Sequence, residues 1–310
     1  MIRIITKLFA VTVIFTAFLH VAPLFAAPVT WVSGTGSDAN PYPCTAAKPC
    51  ATFGGAANSL DNAGQINCLD SPGFIGSYAF TGFSATIDCA GVLETSLVAL
   101  SLNGNQVWKI RNLTISGTPG GSSAIKVVGG GTLIIENCVF ENFSGNALDI
   151  EPTAILNLVV TNSRISTSGA GVLIKPAAGG LGSVNATLDH VVISGNNGSG
   201  GGIKTDSANG IVNLDITESE ISNNDGVGIN ARSGGSLNMV SIKNSVITKN
   251  SAQGVQANGA NVGVTLQTTL LDQNTGGATS VVAGGHISTY GNNSIVGSSG
   301  SGFTGSASLQ

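Results

Sequence analysis

Apolar residues recur along this chain in short blocks, and the blocks themselves recur. IRNLTI begins at residue 110, IENCVF at 135, VTNSRI at 160, LDHVVI at 188, ITESEI at 216, IKNSVI at 242, LQTTLL at 266 and YGNNSI at 290, so the step is 24 to 28 residues. The first and last positions of a block are almost always apolar and the third is usually polar. A Gly-rich turn then leads to a second apolar stretch, as in AIKV (124–127), ALDI (147–150), GIKT (202–205), GINA (228–231) and GVQA (254–257). Two period-two strands plus turns, repeated at this interval, predict one coil of a β-solenoid. Leucine-rich and helical repeats are the competing solenoids, but the period holds no amphipathic helical stretch and no fixed Leu spacing.

Parallel coils stack about 4.8 Å apart, so each repeat position becomes a column. Two residues before each block the column reads Trp108, Leu133, Leu158, Ala186, Leu214, Val240 and Val264, which is core. Trp108 is therefore expected to pack inside rather than to stack on a ligand. The third position reads Asn112, Asn137, Asn162, His190, Glu218, Asn244, Thr268 and Asn292, and a later one reads Asn196, Asn224, Asn250 and Asn274. Both are expected to be side-chain ladders running from coil to coil, which makes His190 structural. His286 has no Cys or carboxylate close by in sequence, so no metal site is implied.

The remaining chain adds a leader and a cap. MIRIITK followed by LFAVTVIFTAFLHVAPLFAAP has the layout of a secretory signal, with cleavage expected after Ala26. A retained anchor is the alternative, weakened by His20 and Pro23. Removing residues 1–26 leaves ten basic against sixteen acidic side chains, which disfavours nucleic acid as a partner. No second apolar run is long enough to span a membrane. Residues 27–64 are read as an N-terminal cap with a strand at VTWVSG and a short helix near CATFGGAANSL, 65–303 as the solenoid and 304–310 as a tail. The final SSGSGFTGSASLQ is Gly and Ser rich and shows no sorting signal, so an autotransporter arrangement is not expected. Export, to a periplasm or to the exterior, permits disulfides. Ile66-Asn67-Cys68 and Ile87-Asp88-Cys89 lie 21 residues apart, so Cys68 and Cys89 share a column. Cys44 and Cys50 would close a small loop, leaving Cys138 as a buried thiol.

The opening WVSGTGSDANP...KPCATFGGA and the repeated I-x-N-x-x-I followed by G-[AVIL]-x-[IV] resemble right-handed parallel β-helix proteins of the pectin-lyase-like superfamily, and most of all its small secreted bacterial members. The resemblance covers roughly residues 28 to 303 and implies an all-β, single-stranded right-handed parallel β-helix with coils of about 21 to 28 residues. It does not imply one activity, because the fold hosts lyases, hydrolases, esterases and non-catalytic surfaces. The residue sets of polygalacturonase-like hydrolases and pectin-esterase-like enzymes are missing; Gly284-Gly285-His286 lacks the following Gly. A calcium-dependent lyase would draw acids from separate coils, with Asp189, Asp206, Asp215, Glu218, Glu220 and Asp225 available, and calcium enters only with that alternative.

One stretch, SGNALDIEP (144–152), places Asp149 and Glu151 on one face of a strand, as a glycosidase acid and base would be. Its columns suggest a different role. Glu151 aligns with Val128, Lys175, Asp206, Arg232 and Asn258, while Lys126 stands beside Asp149 and Arg111 beside Glu136. Alternating charges read as coil-to-coil pairs, so no catalytic residue is assigned. Asp149, Glu151, Lys175, Asp206 and Arg232 are the candidate ligand face. The expected function is an exported β-helix presenting that face to a polysaccharide or cell-surface component; a divergent lyase or hydrolase and an adhesive surface protein are the alternatives.

Overall fold

The computed structural model describes residues 27–39, 44–70, 79–94, 98–100, 106–117, 123–198, 200–299 and 302–306, so the leader at 1–26 and most of the tail lie outside the described residues. From Gly131 to Val282 each coil has three strands rather than two. Face 1 carries strands such as Gly131–Glu136, Ile155–Thr161 and Ser183–Asp189. Face 2 carries three-residue strands such as Val139–Glu141, Arg164–Ser166 and Val192–Ser194. Face 3 carries Asn146–Ile150, Ala170–Ile174, Ile203–Asp206 and their successors, and is eight strands deep. Every pairing between strands on these faces is parallel and joins one coil to the next, which defines a parallel β-solenoid. The extra strand arises because each I-x-N-x-x-I block is a corner: its first two residues end face 1 and its last lies in face 2.

The backbone explains the polar residue at that corner. Asn112, Asn137, Asn162, His190, Glu218, Asn244 and Thr268 all have left-handed φ between 47° and 56°. Asn tolerates this conformation better than other residues with side chains, which accounts for its recurrence. Contact down the column is only partial: Asn112 Nδ2 donates to Asp88, Asn137 Nδ2 to Asn112 at 3.4 Å and Asn292 Nδ2 to Thr268, and His190 Nε2 lies 2.8 Å from Glu218. The ladder expected here is thus secondary to the turn.

The second expected ladder is continuous. Asn196, Asn224, Asn250 and Asn274 are all buried, and each of the first three donates Nδ2–H to the next Oδ1 at 2.8, 3.0 and 2.9 Å. The same oxygens accept the backbone N–H of the preceding coil's Asn, and Ser168 N–H joins the series through Asn196 Oδ1. Inward-facing glycines flank this row. A Cβ on Gly228 would stand 2.6 Å from Gly254 O and 2.8 Å from Asn250 Nδ2, which is why Gly precedes the apolar residue in G-[AVIL]-x-[IV]. A third row went unread in the sequence. Ser163, Ser219, Ser245 and Thr269 follow the first corner and turn their hydroxyls back to carbonyls two residues earlier. Cys138 occupies the same position and its thiol donates to Glu136 O. Burial raises that thiol to about 12, so it stays protonated.

The interior is the apolar column read from the sequence. Trp108, Leu133, Leu158, Ala186, Leu214, Val240 and Val264 stand in register and are buried. Trp108 is fully enclosed, with Phe80 and Phe83 against it, so it is not a ligand platform. At the N-terminal end the strand Ala27–Val32 pairs with Leu60–Cys68, and the helix Phe53–Ala57 buries Phe53, Ala56 and Ala57. Thr52 caps that helix by accepting from Gly55 N–H, and Asp38 accepts from the Thr52 hydroxyl. Cys44–Cys50 and Cys68–Cys89 lie at disulfide distance, with Cα separations of 5.2 and 4.6 Å.

Candidate functional site

Face 3 places two outward columns side by side. One reads Lys126, Asp149, Leu173, Lys204, Asn230 and Gln256. In the other, Asp206, Arg232 and Asn258 stand in register, and Glu151 and Lys175 continue the column one residue beyond the paired strands Asn146–Ile150 and Ala170–Ile174, as expected from the sequence. Period two turns both columns outward, because the residues between them, Ile150, Ile174, Thr205 and Ala231, fill the interior.

The charges along these columns pair differently from a simple alternating ladder. Lys126 Nζ reaches Asp149 at 3.3 Å and, diagonally, Glu151 at 2.9 Å. Arg232 approaches Asp206 only to 3.9 Å. Lys175 stands between Glu151 and Asp206 in register, yet among the described residues neither it nor Lys204 forms an ion pair. Glu151 is engaged by Lys126, and Asp206 stands nearest Arg232, so neither acid beside Lys175 is left without a basic neighbour. Arg111 also departs from expectation: it is in register with Glu136 but bonds Asp88 at 2.9 Å on the preceding coil.

Asp149 is the most enclosed acid on the face, 8% exposed. Burial, and then the charge of Glu151, push its carboxyl above the usual range, against the pull of Lys126 and of Asn146 Nδ2 at 3.4 Å. Lys126 is held above its usual value, first by its bond to Glu151. Beside this cluster a groove of about 370 Å³ follows the corner between faces 2 and 3. Its walls include Asn146, Leu173 and Lys204, and Gly145, Gly169, Gly198 and Gly200 leave it open.

Elsewhere, His190 sits between two acids, with Nδ1 3.1 Å from Asp189 and Nε2 2.8 Å from Glu218 on the next coil. Its bond to Asp189 raises its proton affinity; Asp189 is held low first by the Thr217 hydroxyl and then by His190. The two imidazole nitrogens point apart, so the group spans coils rather than converging on a point. Among the described residues no three His, Cys, Asp or Glu side chains form a metal-binding group. Glu220 accepts from Ser222 and Asp225 from Ser251, both within the wall of the solenoid.

Residues 98–181, which carry Asp149, Glu151 and Lys175, are similar to the family described as right handed beta helix region. With the observed stacking, this supports a β-helix repeat protein. Comparison with curated proteins and with solved structures returns no match. Among the described residues no helix is long and apolar enough to cross a membrane.

Proposed function

We propose that this β-helix protein is exported and holds a polysaccharide or another cell-surface polymer along face 3 without cleaving it. The observation that carries the reading is the pairing of an open groove with two ammonium groups that form no ion pair among the described residues, Lys204 at its edge and Lys175 in the adjacent column. Four of the ten basic residues beyond residue 26 (Lys126, Lys175, Lys204 and Arg232) stand on this face of an otherwise acidic chain. Two disulfides fit an oxidising compartment, and the leader-like residues 1–26 fit export. Membership of the pectin-lyase-like superfamily, in its small secreted bacterial form, is part of the proposal.

Lys126 supports the non-catalytic reading, because it bonds both carboxylates of the candidate acid pair and so engages the groups that hydrolysis would need. The lyase or hydrolase alternative has one observation in its favour, the raised proton affinity of Asp149 beside a groove. Incubating the protein with acidic and neutral polysaccharides, with and without calcium, separates the readings. Binding should appear with neither unsaturated product by ultraviolet absorbance nor new reducing ends, and Lys175→Ala with Lys204→Ala should weaken it while Glu151→Gln changes it little. Product formation would establish an enzyme. Absence of both binding and product would favour the adhesive surface protein.

A further inference from the structure

Face 1 offers a second site, unrelated to the polymer reading. One of its outward columns reads Val107, Thr132, Asn157, Asn185, Asn213, Met239, Gly263 and His286. The three Asn residues form an exposed ladder, with Nδ2–H to Oδ1 bonds of 3.3 and 2.9 Å. Two coils beyond Asn213, Gly263 interrupts the column. The missing side chain leaves a depression of about 330 Å³ floored by the backbone of the strand Val262–Gln267.

The walls differ in chemistry. Leu237 and Met239 are 52% and 46% exposed on one side, while His286 stands on the other. Asn261, Thr265 and Ser288 complete the rim, and no Asp, Glu, Lys or Arg lines it. The His286 imidazole makes no hydrogen bond among the described residues. Met239 and His286 belong to coils two steps apart, about 9.6 Å at the backbone. A flat ring needs about 7 Å between the atoms that touch its two sides, so the flexible Met239 tip, which lies over Gly263, must swing aside to admit one.

We infer that this depression binds a small neutral aromatic molecule bearing a hydroxyl, with its ring against the Met239 thioether and its hydroxyl bonded to His286. Sulfur and an aromatic ring attract one another, and an unbranched methionine adjusts to the ring it meets. A charged ligand would find no counter-charge here. A sugar ring would find no aromatic platform. Met239 already leans over the floor: a Cβ on Gly263 would lie 2.9 Å from its Cε and 3.0 Å from its Sδ. Those are the tip atoms of a flexible side chain, so Gly263→Val fills the depression without striking backbone, in a strand that favours Val.

Met239 is the only methionine besides Met1, which makes a methyl-13C methionine label a direct reporter. Titrated with phenol, the Met239 methyl resonance should shift saturably, and cyclohexanol should leave it unmoved. Gly263→Val should abolish the phenol response with an unchanged circular dichroism spectrum. His286→Ala should weaken phenol about three- to tenfold, the equivalent of one hydrogen bond, and leave toluene unaffected. A flat phenol titration, cyclohexanol binding as tightly as phenol, or a full response in Gly263→Val would each overturn the assignment.

Discussion

Asn250→Ala tests the reading that the buried amide ladder holds the coils in register. Asn250 is fully buried and makes four side-chain bonds. Its Nδ2 donates to Asn274 Oδ1 and Ile221 O, and its Oδ1 accepts from Asn224 N and Asn224 Nδ2. Truncation leaves two buried donors on Asn224 without their acceptor, at about 2 kcal/mol each, so the expected loss is about 4 kcal/mol. The neighbouring Asn223 is exposed and serves the left-handed corner at φ 54°. Asn223→Ala removes only that backbone tolerance and should cost about 1 kcal/mol. Urea unfolding followed by circular dichroism gives both values. Because each coil touches only its neighbours, hydrogen exchange should rise around residues 193–202, 221–230 and 247–256 and stay unchanged at 131–150. Equal costs for the two variants, or a loss below about 1 kcal/mol for Asn250→Ala, would refute the argument.

Further outcomes follow from the same geometry. Cys68 and Cys89 stand 21 positions apart and Cys44 and Cys50 stand 6 apart, so paired Ser substitutions should cost about 3 and about 2 kcal/mol in urea unfolding under oxidising conditions. Under reductant the differences should vanish. Gly228→Ala drives a Cβ into Gly254 O and Asn250 Nδ2 and should cost about 2 kcal/mol or more, against little for Gly263→Ala, where only the Met239 tip must move. For Asp149, burial raises the folded carboxyl above its unfolded value of about 3.9, so its contribution is present below that pH and is lost as pH rises through the folded value. Asp149→Asn should therefore gain stability relative to the parent between pH 4 and neutrality, and a pH-independent difference would contradict the burial argument.

Much of this molecule was legible because a stacked coil repeats its own constraints. The spacing of IRNLTI, IENCVF and their successors determined a β-solenoid, and alternation determined which column is core, from Trp108 to Val264. The amide series Asn196 to Asn274 and the shared column of Cys68 and Cys89 followed from register alone, since a residue must meet its equivalent one coil away. The register of Glu151, Lys175, Asp206 and Arg232 was equally determined. Their partners were not: a long side chain samples diagonal as well as direct neighbours, so only the tertiary structure decided that Lys126 takes both Asp149 and Glu151 while Lys175 forms no ion pair among the described residues. The third strand of each coil, and the left-handed corners behind the first Asn column, also needed the structure, because a three-residue strand carries too few positions to show a period. The hollow at Gly263 is decided in the same way. A single missing side chain says nothing until the walls that Met239 and His286 place on either side of it are known.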